Sequence, residues 1–285
     1  MQVFLANDTS RSAHAGCKAV MRSLHAAIAA VPGLKICGTH SVGTREIDES
    51  AFYAADAVLI NGEGTIHHSG QHATYLLALI AEAKDAGKKV LLVNALFQQY
   101  ECQSDDILAD LALLTVREPR SAGFARRYGG TPRVLLDSAA DPAFTEGGTA
   151  TPLTHGWVIG GYIDSGLLKD PFKRIEGHRL NIHKSPFEDI IATLRAAELY
   201  LTGQHHGVYA AAIAGCPFIV TPSNSHKIES FVEWTGLPIP ICMQQKEILP
   251  AAAFALRNPS IYAELQDFMK SQSVLTSAML AEALG

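Results

Sequence analysis

Along the first half of the chain, short apolar runs rich in β-branched residues alternate with longer segments whose apolar positions recur at helical spacing. Short runs that are apolar throughout fit strands buried on both faces, and the longer amphipathic segments fit the helices that cover them. The strands so marked are VFLA, LKICGTH, AVLING, KKVLLVNA, LLTVRE and RVLLDSA. Residues 14–31, 71–87, 104–111 and 120–128 between them are long enough to serve as crossover helices. Gly87, ahead of Lys88 and Lys89, and the pair Gly129–Gly130 supply helix stops. The pattern predicts a doubly wound parallel sheet with helices on both faces.

After Asp141–Pro142 the chain runs through FTEGGTATPLTHG, poor in apolar residues and rich in glycine and threonine, which reads as a linker. Beyond it WVIGGYI, HRLNIH, ELYLTG, CPFIVTP and PIPIC read as strands, with helices over 186–197, 206–215 and 226–236. The expected architecture is α/β, with two Rossmann-like doubly wound domains, 1–148 and 149–285, facing across a cleft. The tail from Leu249 has a helical pattern and is expected to pack back on the first domain.

Composition narrows the function classes. Charged residues make up 18% and the net charge is −5, so there is no global positive field for nucleic acid, and any anion site is local. Five cysteines are scattered singly, a pattern of reduced thiols and not of a disulfide framework or a structural zinc site. The start MQVFLANDTS lacks a basic n-region, and no run approaches the roughly 20 apolar residues of a membrane span. A cytoplasmic protein is expected, associated with the inner face of a membrane only through partners or a lipid-linked substrate.

Several strand-end segments carry candidate chemistry. Asn61-Gly62-Glu63-Gly64-Thr65 follows AVLI and precedes a helix near Gln71; Gly62, Gly64 and Thr65 suit close approach of backbone N–H groups to an anion. Glu63 there is a base, an acceptor for sugar hydroxyls, or a cap. Thr202-Gly203-Gln204-His205-His206 follows LYL and opens a small-residue helix, and His206 is the first choice as general acid or base. Ser225-His226-Lys227 opens another helix, where a lysine opposes the helix dipole and is better explained by a bound anion. Arg117 ends a core strand, and its planar fork suits carboxylate or phosphate, with a local pair to Glu118 as the alternative. Asn7 and His14 follow the first strand, His14 as a catalytic group or a helix cap. No metal and no cofactor is expected. Adjacent histidines seldom share one ion, and His68 with His72 lacks the intervening glutamate of a metalloprotease helix.

Taken in order, these segments resemble the polysaccharide pyruvyl transferase family, whose fold is like that of two-domain GT-B glycosyltransferases. The resemblance rests on Asn7 to Gly16, Asn61 to Thr65, Arg117-Glu118-Pro119-Arg120-Ser121, Asp141-Pro142, Thr202 to His206, and Lys227 after Gly215-Cys216-Pro217. It departs from the family pattern at Gln204, where Ser-x-Arg-x-His has arginine. The resemblance implies transfer of a pyruvyl group from phosphoenolpyruvate to a sugar of a cell-surface polysaccharide or its lipid-linked precursor. His206, Glu63 and His14 would be the catalytic groups, and Asn7, Gly62, Gly64, Thr65, Arg117, Gln204, His205, Ser225 and Lys227 would hold substrate. Two alternatives stay open: a GT-B glycosyltransferase using a nucleotide sugar, which Gln204 favours, and a non-catalytic module that binds glycan or anion.

Overall fold

The computed structural model describes residues 1–44, 46–64, 66–99, 105–163 and 166–285. Two compact units divide the chain: Met1–Ser12 with Val20–Ser138 and Val274–Gly285, and Ala13–Ala19 with Ala139–Ser273.

The elements of the first half are β1 (Gln2–Asp8), α1 (Ala15–Ala29), β2 (Lys35–Ser41), α2 (Glu49–Ala54), β3 (Ala57–Asn61), β4 (Ile66–His67), α3 (Gln71–Asp85), β5 (Lys89–Ala95), β6 (Phe97–Gln98), β7 (Leu113–Val116), α4 (Pro119–Arg127) and β8 (Arg133–Val134). Unit 1 is built on a parallel sheet of order β2-β1-β3-β5-β7-β8, with β4 and β6 paired separately. Because side chains alternate across a strand, the uniformly apolar runs feed two cores. Phe4, Val58, Ile60 and Leu92 face Phe52, Leu76 and Ile80, whereas Val3, Leu5, Leu59 and Leu91 face Met21, Leu24 and Ile28.

Unit 2 contains β9 (Trp157–Tyr162), β10 (His178–Arg179), α5 (Phe187–Leu194), β11 (Leu199–Gly203), α6 (His205–Ala214), β12 (Phe218–Val220), α7 (Lys227–Thr235), α8 (Ile248–Arg257) and α9 (Ser260–Ser271). Its sheet is parallel, of order β10-β9-β11-β12. Tyr200 threads its hydroxyl between two glycines: a Cβ at Gly160 would lie 2.1 Å from it and one at Gly207 2.9 Å. The last helix, α10 (Ser277–Leu284), belongs to unit 1, where Leu275, Leu280 and Leu284 join the α1-side core. Its N-terminus is capped by the Thr276 hydroxyl, which accepts from the Met279 N–H.

Three sequence expectations are corrected. Residues 105–110 form turns and not a crossover helix, and Ser104 lies outside the described residues. The ammonium of Lys84 takes the carbonyls of Asp106, Ile107 and Ala109 at 3.1–3.5 Å, and Asp110 turns left-handed at φ 56°, so the segment closes on itself. HRLNIH contributes only the two residues of β10, and PIPIC makes a single bridge, Val220 to Ile241. Helix α2, short and capped by Asp48, had no marked apolar period to announce it.

Candidate functional site

In a parallel sheet every strand delivers its carboxyl end to the same edge. In unit 1 that edge carries Asn7, Asn61, Asn94, Arg117 and Asp137. Asn7 and Asn94 are left-handed, at φ 60° and 55°, and each sits where its strand slips register against a neighbour. Asparagine tolerates this conformation because its amide can bond locally. Asn7 Nδ2 donates to the Asn61 carbonyl at 2.6 Å, and its Oδ1 is 2.9 Å from His72 Nε2. Asn7 N–H donates to His40 Nδ1 at 3.3 Å, so His40 carries its proton on Nε2, facing the Thr44 carbonyl at 3.0 Å. Burial first, and His40 second, lower the pKa of His72; the neutral ring then donates its Nε2–H to Asn7.

This network ends on a carboxylate. Glu63 is buried, and its Oε2 accepts from Thr9 Oγ1 at 3.1 Å and from Asn61 Nδ2 at 3.5 Å. Asn61 Oδ1 in turn accepts the Glu63 N–H at 3.2 Å, which fixes the turn. Gly62 is required there for packing, because a Cβ would lie 2.7 Å from the Ala95 backbone. Gly64 is required for its φ of 60°. Thr65 lies outside the described residues. The helix expected near Gln71 begins there as α3, and the short strand β4 lies between it and the turn.

Arg117 is 2% exposed and donates through Nη1 to Asp137, itself fully buried, at 2.9 Å. Its expected neighbour Glu118 instead caps α4, accepting from the Ser121 N–H at 3.0 Å. Arg117 Nε has no hydrogen-bond partner among the described residues.

The corresponding edge of unit 2 is formed by the ends of β9, β11 and β12. Thr202 Oγ1 donates to the Gly161 carbonyl and accepts the Gln204 N–H, both at 3.1 Å. Gly161 is bare because a Cβ would sit 2.8 Å from the Gln204 amide. Gln204 Oε1, Thr221 Oγ1 and Ser225 Oγ are buried and lack a hydrogen-bond partner among the described residues, which marks this edge as built for polar company. Lys227, buried in the first turn of α7, donates to Asn224 Oδ1 at 2.5 Å.

His205 and His206 open α6 and diverge. His205 packs at 4.8 Å against Tyr209 with the rings tilted, while His206 lies 5.1 Å from the His14 ring, both measured between ring centres. The His206 ring rests on the first turn of α1, where a Cβ at Gly16 would lie 2.1 Å from its Cγ. His14 accepts the Gly16 N–H at Nδ1, 3.2 Å away, and meets His183 edge to face at 5.3 Å. Sequence reasoning gave no role to His40 and His72 in unit 1 or to Cys17 and His183 in unit 2. Only the His14–Cys17 spacing carried a readable signal, since it places both on one helical face.

The family model for polysaccharide pyruvyl transferase matches residues 9–225. The chain belongs to the polysaccharide pyruvyl transferase family. No curated relative matches it. Among solved structures, an uncharacterised Klebsiella pneumoniae protein superimposes with TM-score 0.50 at 14% identity, covering 85% of this chain and 92% of that one. A UDP-glucosyltransferase from Polygonum tinctorium gives 0.52 at 10% identity, covering 99% and 96%. The UDP-GlcNAc 2-epimerase of Methanocaldococcus jannaschii gives 0.51 at 10%, covering 95% and 99%. At such identities the likeness is one of fold, and this pyruvyl transferase family member has the GT-B glycosyltransferase architecture.

Proposed function

We propose that the protein transfers a pyruvyl group from phosphoenolpyruvate to a pair of hydroxyls on a saccharide destined for the cell surface, free or lipid-linked. The observation that carries this reading is that His206, which the resemblance matches to the histidine of Ser-x-Arg-x-His, stands in the first turn of α6, within the residues that match the family. Protonated His206 gives its proton to the methylene carbon of phosphoenolpyruvate, generating an oxocarbenium-like centre at the carbon bearing phosphate. One sugar hydroxyl adds to that carbon, a second displaces phosphate, and the ketal forms. Of the two hydroxyl protons, one restores His206 and the other leaves with phosphate. His14 orients the His206 ring, and Lys227 with Ser225 holds the anionic donor. Glu63, fixed by Thr9 and Asn61, is assigned to an acceptor hydroxyl, with Asn7 shaping that edge.

Arg117 needs a different part. Its charge is already matched by Asp137, so its role is to brace the strand ends beside Gly64 and not to supply net positive charge. With Gln204 at the family's arginine position, Lys227 carries the main electrostatic burden of donor binding.

One observation favours a second reading. The buried, unmatched oxygens of Gln204, Thr221 and Ser225 are neutral acceptors, which suit the hydroxyls or base of a nucleotide sugar. Release of inorganic phosphate from phosphoenolpyruvate, dependent on an added saccharide and lost in His206→Ala, supports pyruvyl transfer. Release of a nucleoside diphosphate from a nucleotide sugar, with no consumption of phosphoenolpyruvate, replaces it with glycosyl transfer.

A further inference from the structure

His14, Cys17 and His206 each present a donor atom, and these atoms all lie within 4.8 Å of one another. The three belong to one compact unit. His14 immediately precedes α1 and Cys17 follows one turn later, so both project from the same face. Gly16 between them leaves room for the His206 ring to reach that turn. His14 and Cys17 are half-buried and His206 is buried.

We propose that His14, Cys17 and His206 form a binding site for Zn2+ or a divalent cation of similar softness. Two imidazoles and a thiolate, with no carboxylate, form a donor set that suits zinc and disfavours magnesium or calcium. Three protein ligands leave the fourth tetrahedral position open. Bond lengths of about 2.0–2.1 Å to nitrogen and about 2.3 Å to sulfur put donors roughly 3.3–3.6 Å apart, so the cluster closes by about an ångström on binding. Rotation of the half-buried His14 and Cys17 side chains supplies that movement, and a metal at His14 Nδ1 takes the lone pair that now accepts from Gly16. Binding releases the thiol proton.

The other described thiols are unsuited to the task. Burial pushes Cys216 and Cys242 up to about 12, and Cys37 donates to the carbonyls of Val3 and Ala51. One consequence rests on the pyruvyl-transfer reading: the cation occupies His206, so Zn2+ inhibits transfer and a chelator restores it.

The site itself is tested without turnover. The metal-stripped full chain is titrated with Co2+ and followed by absorption, then challenged with Zn2+. One equivalent is expected to bind with a thiolate-to-cobalt charge-transfer band and the intense d–d bands of four-coordination, all lost on adding Zn2+. Cys17→Ser abolishes the charge-transfer band, and Cys17→Ser and His14→Ala each weaken binding at least about tenfold, while Cys37→Ser matches the wild type. Circular dichroism confirms that the variants are folded. A wild-type protein without the band, or a band that survives in folded Cys17→Ser, overturns the site. Failure to consume phosphoenolpyruvate alongside normal Co2+ spectra removes the proposed activity and leaves this site standing.

Discussion

Removing the Asp137 carboxylate tests the internal electrostatics of unit 1. Asp137 is fully buried and neutralises Arg117, whose Nη1 stands 2.9 Å away and whose side chain is 2% exposed. Arginine stays charged at any accessible pH, so Asp137→Ala leaves a guanidinium in the interior with its countercharge gone. Truncating one partner of a buried pair costs about 3–5 kcal/mol, whereas replacing both with apolar residues of similar volume is close to neutral. With a urea dependence of about 1–3 kcal/mol per molar, the single variant lowers the unfolding midpoint by at least about 1 M, read by far-ultraviolet circular dichroism. Arg117→Met/Asp137→Leu recovers most of the loss. Hydrogen exchange localises the effect, with faster exchange in the β5 and β7 peptides that flank Arg117. A loss below about 1 kcal/mol in Asp137→Ala, or a double variant no better than the single one, refutes the assignment of Arg117 as internally compensated.

Two further outcomes are expected. Gly16→Ala drives a methyl group into the His206 ring; overpacking of this kind costs about 1–3 kcal/mol, and a ring displaced by an ångström lowers turnover about 100-fold, so a variant with full activity and unchanged melting temperature contradicts the placement of His206. His72 has a pKa below its ordinary value in the folded state, so the unfolded chain binds the extra proton first and stability falls as pH drops from the unfolded value of about 6.5 through the folded one. His72→Gln, which keeps a donor for Asn7, flattens that acid-side slope; an unchanged slope places the proton uptake elsewhere.

The strands of unit 1 were legible because a sheet covered on both faces leaves no polar position to interrupt its runs, and β1, β3 and β5 match their apolar stretches closely. The C-terminal tail was legible as helix; α8 and α9 lie in unit 2 and α10 in unit 1. α10 joins the first unit because Leu280 and Leu284 complete the core beside α1, and nothing local distinguishes them from the leucines of α8. The 105–110 turns were misread because their carbonyls are taken by Lys84, a partner some 22 to 25 residues away that spacing does not reveal.

The candidate site was half legible. Glu63 and His206 follow strand ends beside glycines, and Lys227 opens a helix against its dipole, both patterns that signal ligand chemistry. Their partners were hidden by distance in sequence: Asn7 reaches Asn61 across 54 residues and His72 across 65, and His14 meets His206 only in the folded unit. Arg117 shows the opposite failure. Its position suggested a substrate anion, and only the structure reveals that Asp137 has already answered its charge.

Donor identity is the central claim, and equilibrium stabilisation measures it most directly. Thermal unfolding is followed with phosphoenolpyruvate, UDP, GDP and CMP in turn, since a ligand at about 100 times its dissociation constant adds about 2.7 kcal/mol to the folded state. The account predicts a rise in melting temperature with phosphoenolpyruvate that disappears in Lys227→Ala. Stabilisation by a nucleotide with none by phosphoenolpyruvate contradicts it.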